Sequence, residues 1–160
     1  MKKEREMNNK GFSLVELIIV IAIMVILVAV LAPQYLKYVE KSRVSTDTQT
    51  MVEFINAMQV LVADPDTDLT GGAYSVVGEA NGLITVSADL QTKLIDAQIL
   101  SANDFRTVGG NVVSANELQS QAFKTANVQV ELVYDNAKQI WSLKTTNIDS
   151  SGKLPTPANP

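Results

Sequence analysis

The hydrophobic pattern along the chain falls into two regimes. Residues 17–36 run for twenty positions without a charge, and most are Ile, Val, Leu, Ala or Met. At ~1.5 Å per residue, a helix of that length spans ~30 Å, the hydrocarbon thickness of a bilayer. The Ile and Val content also suits a buried strand. Length decides against it, because strands usually stop at about ten residues and a lone strand leaves its backbone unsatisfied in lipid. The run is predicted to be a membrane-spanning helix.

After Pro33 the pattern becomes amphipathic. Val44, Met51 and Met58 recur at heptad spacing, as do Thr48, Ile55 and Val62, with Asp47, Gln49, Glu53 and Gln59 between them. Asp64-Pro65-Asp66 ends the pattern, since the residue before proline resists the helical conformation. Joined to the apolar half, this predicts one helix of roughly fifty residues, ~75 Å if continuous. Its outer half is expected to lie against a sheet, with Met51, Ile55, Met58 and Val62 in the core.

Shorter periods follow. Residues 74–77 and 83–86 read as strands around Gly78 and Asn81-Gly82. Ser87 is placed to cap a helix over 88–100, with Leu90, Leu94, Ile95 and Ile99 on one side. Residues 101–104 read as a turn or short helix start. Ser114 and Glu117 have capping-box spacing, which predicts a helix over 115–123. Residues 128–134 alternate most clearly and, with 139–146, predict an antiparallel hairpin turning at Asp135-Asn136-Ala137-Lys138. Trp141 is expected to anchor packing, with binding as the other reading. The tail, 150–160, holds Gly152, Pro155, Pro157 and Pro160 and is expected to be mobile or loosely docked.

Composition then narrows the chemistry. There is no Cys and no His among the 160 residues. Disulfides and thiolate metal sites are excluded, as is the commonest general base. Asp64, Asp66 and Asp68 alternate before Gly71-Gly72, a spacing that raises calcium. The distal Glu and central Gly of an EF-hand loop are missing, and Asp-Pro-Asp is ordinary turn chemistry. No metal and no cofactor are expected. The net charge is −4, and the first eleven residues carry +2, so the remainder is −6. That balance argues against a nucleic-acid site built on phosphate contacts.

Lys2, Lys3, Arg5 and Lys10 precede the apolar run and outweigh Lys37, Lys41 and Arg43 behind it. The expected orientation has the N-terminus in the cytoplasm and the polar part outside. A removable secretory signal fits poorly, because the run is too long and leads through Pro33 into further helix. Glu16 stands out at the edge of the run. An acid there costs ~2–3 kcal/mol at depth and usually has a partner or a role; the alternative is an interfacial marker of membrane entry.

Lys10-Gly11-Phe12-Ser13-Leu14-Val15-Glu16-Leu17, after a short basic leader and before an apolar helix, resembles the prepilin processing site of type IV pilins and pseudopilins. The likeness covers roughly the first 25 residues. It implies an α+β pilin fold: a long N-terminal helix, transmembrane then amphipathic, packed on a small antiparallel sheet. It implies a leader over 1–11, removed by a prepilin peptidase after Gly11, and a filament-core helix over 12–36. A globular domain over 37–149 follows, including the amphipathic helix 37–63, and then a tail over 150–160. Phe12 is implied as the new, N-methylated terminus. Glu16 is implied to attract the Phe12 amine of a neighbouring subunit. Pro33 stands where many type IV pilins carry a helix-breaking proline, a reading compatible with a simple kink at the membrane exit. Many relatives also have a Gly in this helix; Val25 occupies the corresponding stretch here.

The resemblance implies a structural subunit of an extracellular pilus, a homo-oligomeric filament serving motility, adhesion or biofilm formation. The subunit waits in the cytoplasmic membrane and is assembled by a pilus ATPase and platform protein. A pseudopilin of a secretion or DNA-uptake machine is the alternative. The absence of Cys removes the disulfide-closed loop of many Gram-negative major pilins and implies a likeness to Gram-positive, clostridial-like ones. An enzyme lacks a visible motif. A membrane-anchored binding module gives no reason for Gly11-Phe12 or Glu16.

Overall fold

A computed structural model describes residues 12–135, 140–149 and 152. Helix α1 runs Leu14–Ala63, fifty residues, and passes through Pro33 without a break. The chain divides into two compact units, Met1–Val39 and Glu40–Pro160. In the first, every described side chain from Phe12 to Tyr38 is exposed. This apolar helix has no protein core of its own to enter.

In the second unit, α1 packs against a six-stranded antiparallel sheet. The strands are β1 (Tyr74–Gly78), β2 (Ile84–Val86), β3 (Phe105–Val108), β4 (Asn111–Ser114), β5 (Gln129–Asp135) and β6 (Ile140–Thr146). Their spatial order is β3-β4-β2-β1-β5-β6. Two short helices, α2 (Ala88–Asp96) and α3 (Gln121–Ala126), fill the connections. The α+β architecture expected from the pattern is the one found.

Alternation builds the core. In β1, Tyr74, Val76 and Gly78 are buried while Ser75 and Val77 are half-buried. In β5, Val130 and Leu132 point inward beside them, held by the pairings Val76↔Val130 and Tyr74↔Leu132. Met51, Phe54, Ile55, Met58 and Leu61 of α1 close the other side. Each fully buried side chain of this size contributes ~1.5–3 kcal/mol over exposure. Trp141 packs edge-on to Tyr74 at 5.7 Å and tilted to Tyr134 at 5.2 Å. Its place is that of a packing anchor at the half-exposed end of the hairpin.

Three elements differ from the sequence expectation. Residues 105–108 and 111–114, to which the sequence pattern assigned no element, form a hairpin, with Gly109 and Gly110 both at positive φ, +58° and +85°. That backbone is what a two-residue turn of the inward-twisting kind requires. The helix expected over 115–123 begins later, at Gln121, capped by Ser120, whose Oγ accepts from Phe123 N–H at 3.3 Å. Ser114 instead ends β4, and Glu117 pairs with Arg106. The box spacing was real chemistry at another address: Ser101 and Asp104 satisfy each other reciprocally. Helix α2 also stops short of residue 100. Gln98 turns left-handed at φ +55°, so Ile99 and Leu100 N–H both return to the Leu94 carbonyl.

Of the hairpin turn expected at Asp135-Asn136-Ala137-Lys138, Asp135 ends β5 and the other three lie outside the described residues, as does the tail from 150 to 160 apart from Gly152. Gly152 is buried against α1. A Cβ there would stand 2.5 Å from Val52 Cγ2 and 2.9 Å from the Thr48 carbonyl oxygen, on a backbone at φ +74°. Gly152→Ala is therefore expected to cost about 1–3 kcal/mol, combining left-handed strain with overpacking. Thermal unfolding of the variant reads this as a lowered Tm.

Candidate functional site

The residues singled out in the sequence gather at the start of α1. Gly11 lies outside the described residues. Phe12 and Ser13 precede the helix in non-helical backbone, and Phe12 is 82% exposed. Ser13 occupies the position before the first helical residue, and Glu16 is the third residue within the helix. Ser13 N–H donates to Glu16 Oε2 at 2.9 Å, and Leu17 N–H donates to the Ser13 carbonyl at 3.2 Å. Glu16 thus reaches back over its own first turn, where an acid also faces the positive end of the helix dipole. The physical need is clear, because four N–H groups at a helix start lack intrahelical partners.

Glu16 is followed by an unbroken exposed apolar surface from Leu17 to Val30, including Ile18, Ile21, Val25 and Val28. The helix is long and apolar enough to cross a membrane. Pro33, placed within it, has no N–H to donate, so the Ala29 carbonyl lacks its usual partner. Sequence and geometry together give an exposed Phe12, an acid three residues into a helix, and an apolar stem.

No comparable chemistry appears elsewhere among the described residues. Asp64 accepts from Asp66 N–H and the Thr67 hydroxyl, and Asp68 accepts from Thr70 through both its N–H and its hydroxyl. The Thr67 hydroxyl foremost, then the Asp66 amide, hold the Asp64 carboxyl below its ordinary range; Thr70 does the same for Asp68. These acids are committed to turns. A shallow polar groove of about 580 Å³ is lined by Thr46, Gln49, Glu53, Arg106, Asn116 and Gln119. It assembles no nucleophile with a base.

Comparison with known proteins bears on the same segment. Residues 7–32 match a family model described as the prokaryotic N-terminal methylation motif. Over 134 residues the chain is 28% identical to Fimbrial protein Q of Moraxella bovis, covering 84% of each chain. Over 123 residues it is 30% identical to Type IV major fimbrial protein FimA of Dichelobacter nodosus, covering 70% of this chain and 79% of the relative. The chain belongs to the type IV pilin family. No solved structure matches it. These relatives give no support to the expected Gram-positive affinity.

Within this pilin, two carboxylates carry more structure than the sequence reading gave them. Asp47, placed on the polar side of the amphipathic pattern, is 1% exposed. It accepts from Ser120 N–H at 2.7 Å, Ser120 Oγ at 2.6 Å and Gln119 N–H at 2.9 Å. Glu40 accepts from Gln121 N–H at 2.6 Å and more weakly from Ala122 N–H at 3.3 Å. A signal was present. Glu40, Asp47, Phe54 and Leu61 fall at seven-residue intervals, so the two acids continue the buried stripe.

Proposed function

We propose that this pilin is the structural subunit of an extracellular type IV pilus. A prepilin peptidase removes residues 1–11, cutting after Gly11, and Phe12 becomes the N-methylated terminus. The apolar helix, held in the cytoplasmic membrane with the N-terminus inside, then passes into the filament core. There Glu16 meets the Phe12 ammonium of a neighbouring subunit. A carboxylate and an ammonium attract strongly in a low-dielectric medium, and each is costly unpaired, so the pair favours one register among many for sliding apolar helices. Pro33 loosens the helix where it leaves the membrane. An assembly ATPase and platform protein supply the work, so the subunit performs no chemistry.

The observation that carries this reading is the coincidence at the start of α1. Glu16 lies one helical turn from Phe12, immediately before an apolar helix whose described side chains are exposed. A plain membrane anchor needs no such acid. The names of both relatives, fimbrial proteins and in one case a major one, support a pilus over a pseudopilus. Electron microscopy of cells labelled with antibody against the globular unit tests the choice. Long labelled fibres are expected. Label confined to the envelope, with secretion or DNA uptake lost on deletion, identifies a pseudopilin instead.

A further inference from the structure

We infer that Glu40 and Asp47 form a load-bearing clasp, through which tension on the N-terminal helix enters the globular unit. The inference rests on the filament reading, because drawing an apolar helix out of lipid, or holding it in a fibre, places that helix under tension. Helix α1 enters the unit at Glu40. Its fully buried apolar contacts begin only at Met51. Among the described residues, the tertiary hydrogen bonds between these points are those of Glu40 and Asp47, with Val44 packed against the core between them. Glu40 is the first of these attachments that a pull on the helix meets.

The bonds converge on one short segment. Glu40 holds the amides of Gln121 and Ala122, and Asp47 holds those of Gln119 and Ser120 together with the Ser120 hydroxyl. The two acids stand seven residues apart, about 10 Å along the helix axis. Their donors lie on four consecutive residues, flanked by Leu118 and Phe123, whose side chains are 1% and 0% exposed. The segment is therefore pinned to the core on both sides. Bonds that share one rigid segment must break together, unlike apolar contacts, which yield by sliding. Asp47 and Ser120 are also closed to water, which raises the cost of opening them.

Both acids satisfy amide donors around the start of α3, which contributes stability in itself. What the carboxylates add is directional: short, charge-assisted bonds that fix the helix against displacement.

Pulling on the full chain in detergent micelles tests this. The chain has no Cys, so handles attach uniquely through Lys37→Cys on the helix and Val133→Cys on the outer face of β5. At constant force, Asp47→Asn and Glu40→Gln are each expected to raise the rate at which the helix leaves the unit by about tenfold or more. Leu94→Ala, a core truncation in α2 that touches none of the clasp's hydrogen bonds, lowers Tm and is expected to leave that rate unchanged. Equal rates for both acid variants and the parent overturn the clasp, and so does equal acceleration by Leu94→Ala. If Asp47→Asn fails to fold, Glu40→Gln, at a half-buried site, decides alone. The measurement needs no filament. A failed clasp leaves the pilus reading standing, and missing fibres leave the clasp standing without its load.

Discussion

Glu16→Ala abolishes filament assembly and leaves the Glu40–Pro160 unit folded: that is the expected result of largest functional effect. The substitution removes the acceptor of Ser13 N–H and the only acid between Phe12 and Val39. The lost cap costs about 1 kcal/mol at the helix start. The lost pairing costs more, about 3–5 kcal/mol for each ammonium left uncompensated in a helix bundle, repeated at every subunit. Glu16→Gln separates the two contributions. Its amide oxygen still accepts from Ser13 N–H, but its charge is gone. Sheared-pilus yield is expected to be nil for both variants, while circular-dichroism melting of the globular unit stays at the parental Tm. Normal yield from Glu16→Gln would mean that Glu16 acts as a cap and not as a pairing charge.

Asp47→Ala is expected to give the largest loss of stability among single substitutions outside the apolar core, about 3 kcal/mol or more. It leaves Ser120 N–H and the Ser120 hydroxyl facing a site closed to water, and Gln119 N–H without its acceptor at the half-buried edge. Each buried donor without an acceptor costs about 1–3 kcal/mol. Ser120→Ala removes a single donor and the α3 cap and is expected to cost less, about 1–2 kcal/mol. Urea unfolding of the two variants checks both the size and the order. A stability for Asp47→Ala within 0.5 kcal/mol of the parent, the range of ordinary surface substitutions, would contradict the described bonds.

The long helix was legible because its signals are long. Twenty uncharged residues, heptad spacing and an Asp-Pro stop set α1 over Leu14–Ala63. Strands β1, β2, β5 and β6 were legible from alternation between turn residues. The β3–β4 hairpin was missed although Gly109-Gly110 offers a two-residue turn. Its strands are four residues long, and β3 buries only Phe105, so alternation had little to act on. The capping-box spacing of Ser114 and Glu117 then drew the helix boundary six residues early. Local spacing cannot tell a serine that starts a helix from one that ends a strand.

The candidate site divides in the same way. Glu16 and Pro33 were legible because they break a monotonous apolar background, and Phe12 through the resemblance of the motif from Lys10 to Leu17. Asp47 was not, because its partners, Gln119 and Ser120, are more than seventy residues away in sequence. An acid on a seven-residue stripe reads as a solvated face until the backbone amides that meet it are known. Gly152 was hidden likewise. It lies in a stretch with the composition of a loose tail, and only the approach of Thr48 and Val52 reveals why a side chain is absent there.

The cut after Gly11 is the claim on which the rest of the functional reading hangs. It makes Phe12 a charged terminus, gives Glu16 its partner and keeps the apolar helix in the mature subunit. Mass spectrometry of the mature protein tests it most directly. The expected N-terminal peptide begins at Phe12 and carries one added methyl on its amine. A mature chain that keeps Met1, or one cut after Ala32 with the apolar helix lost, would contradict it.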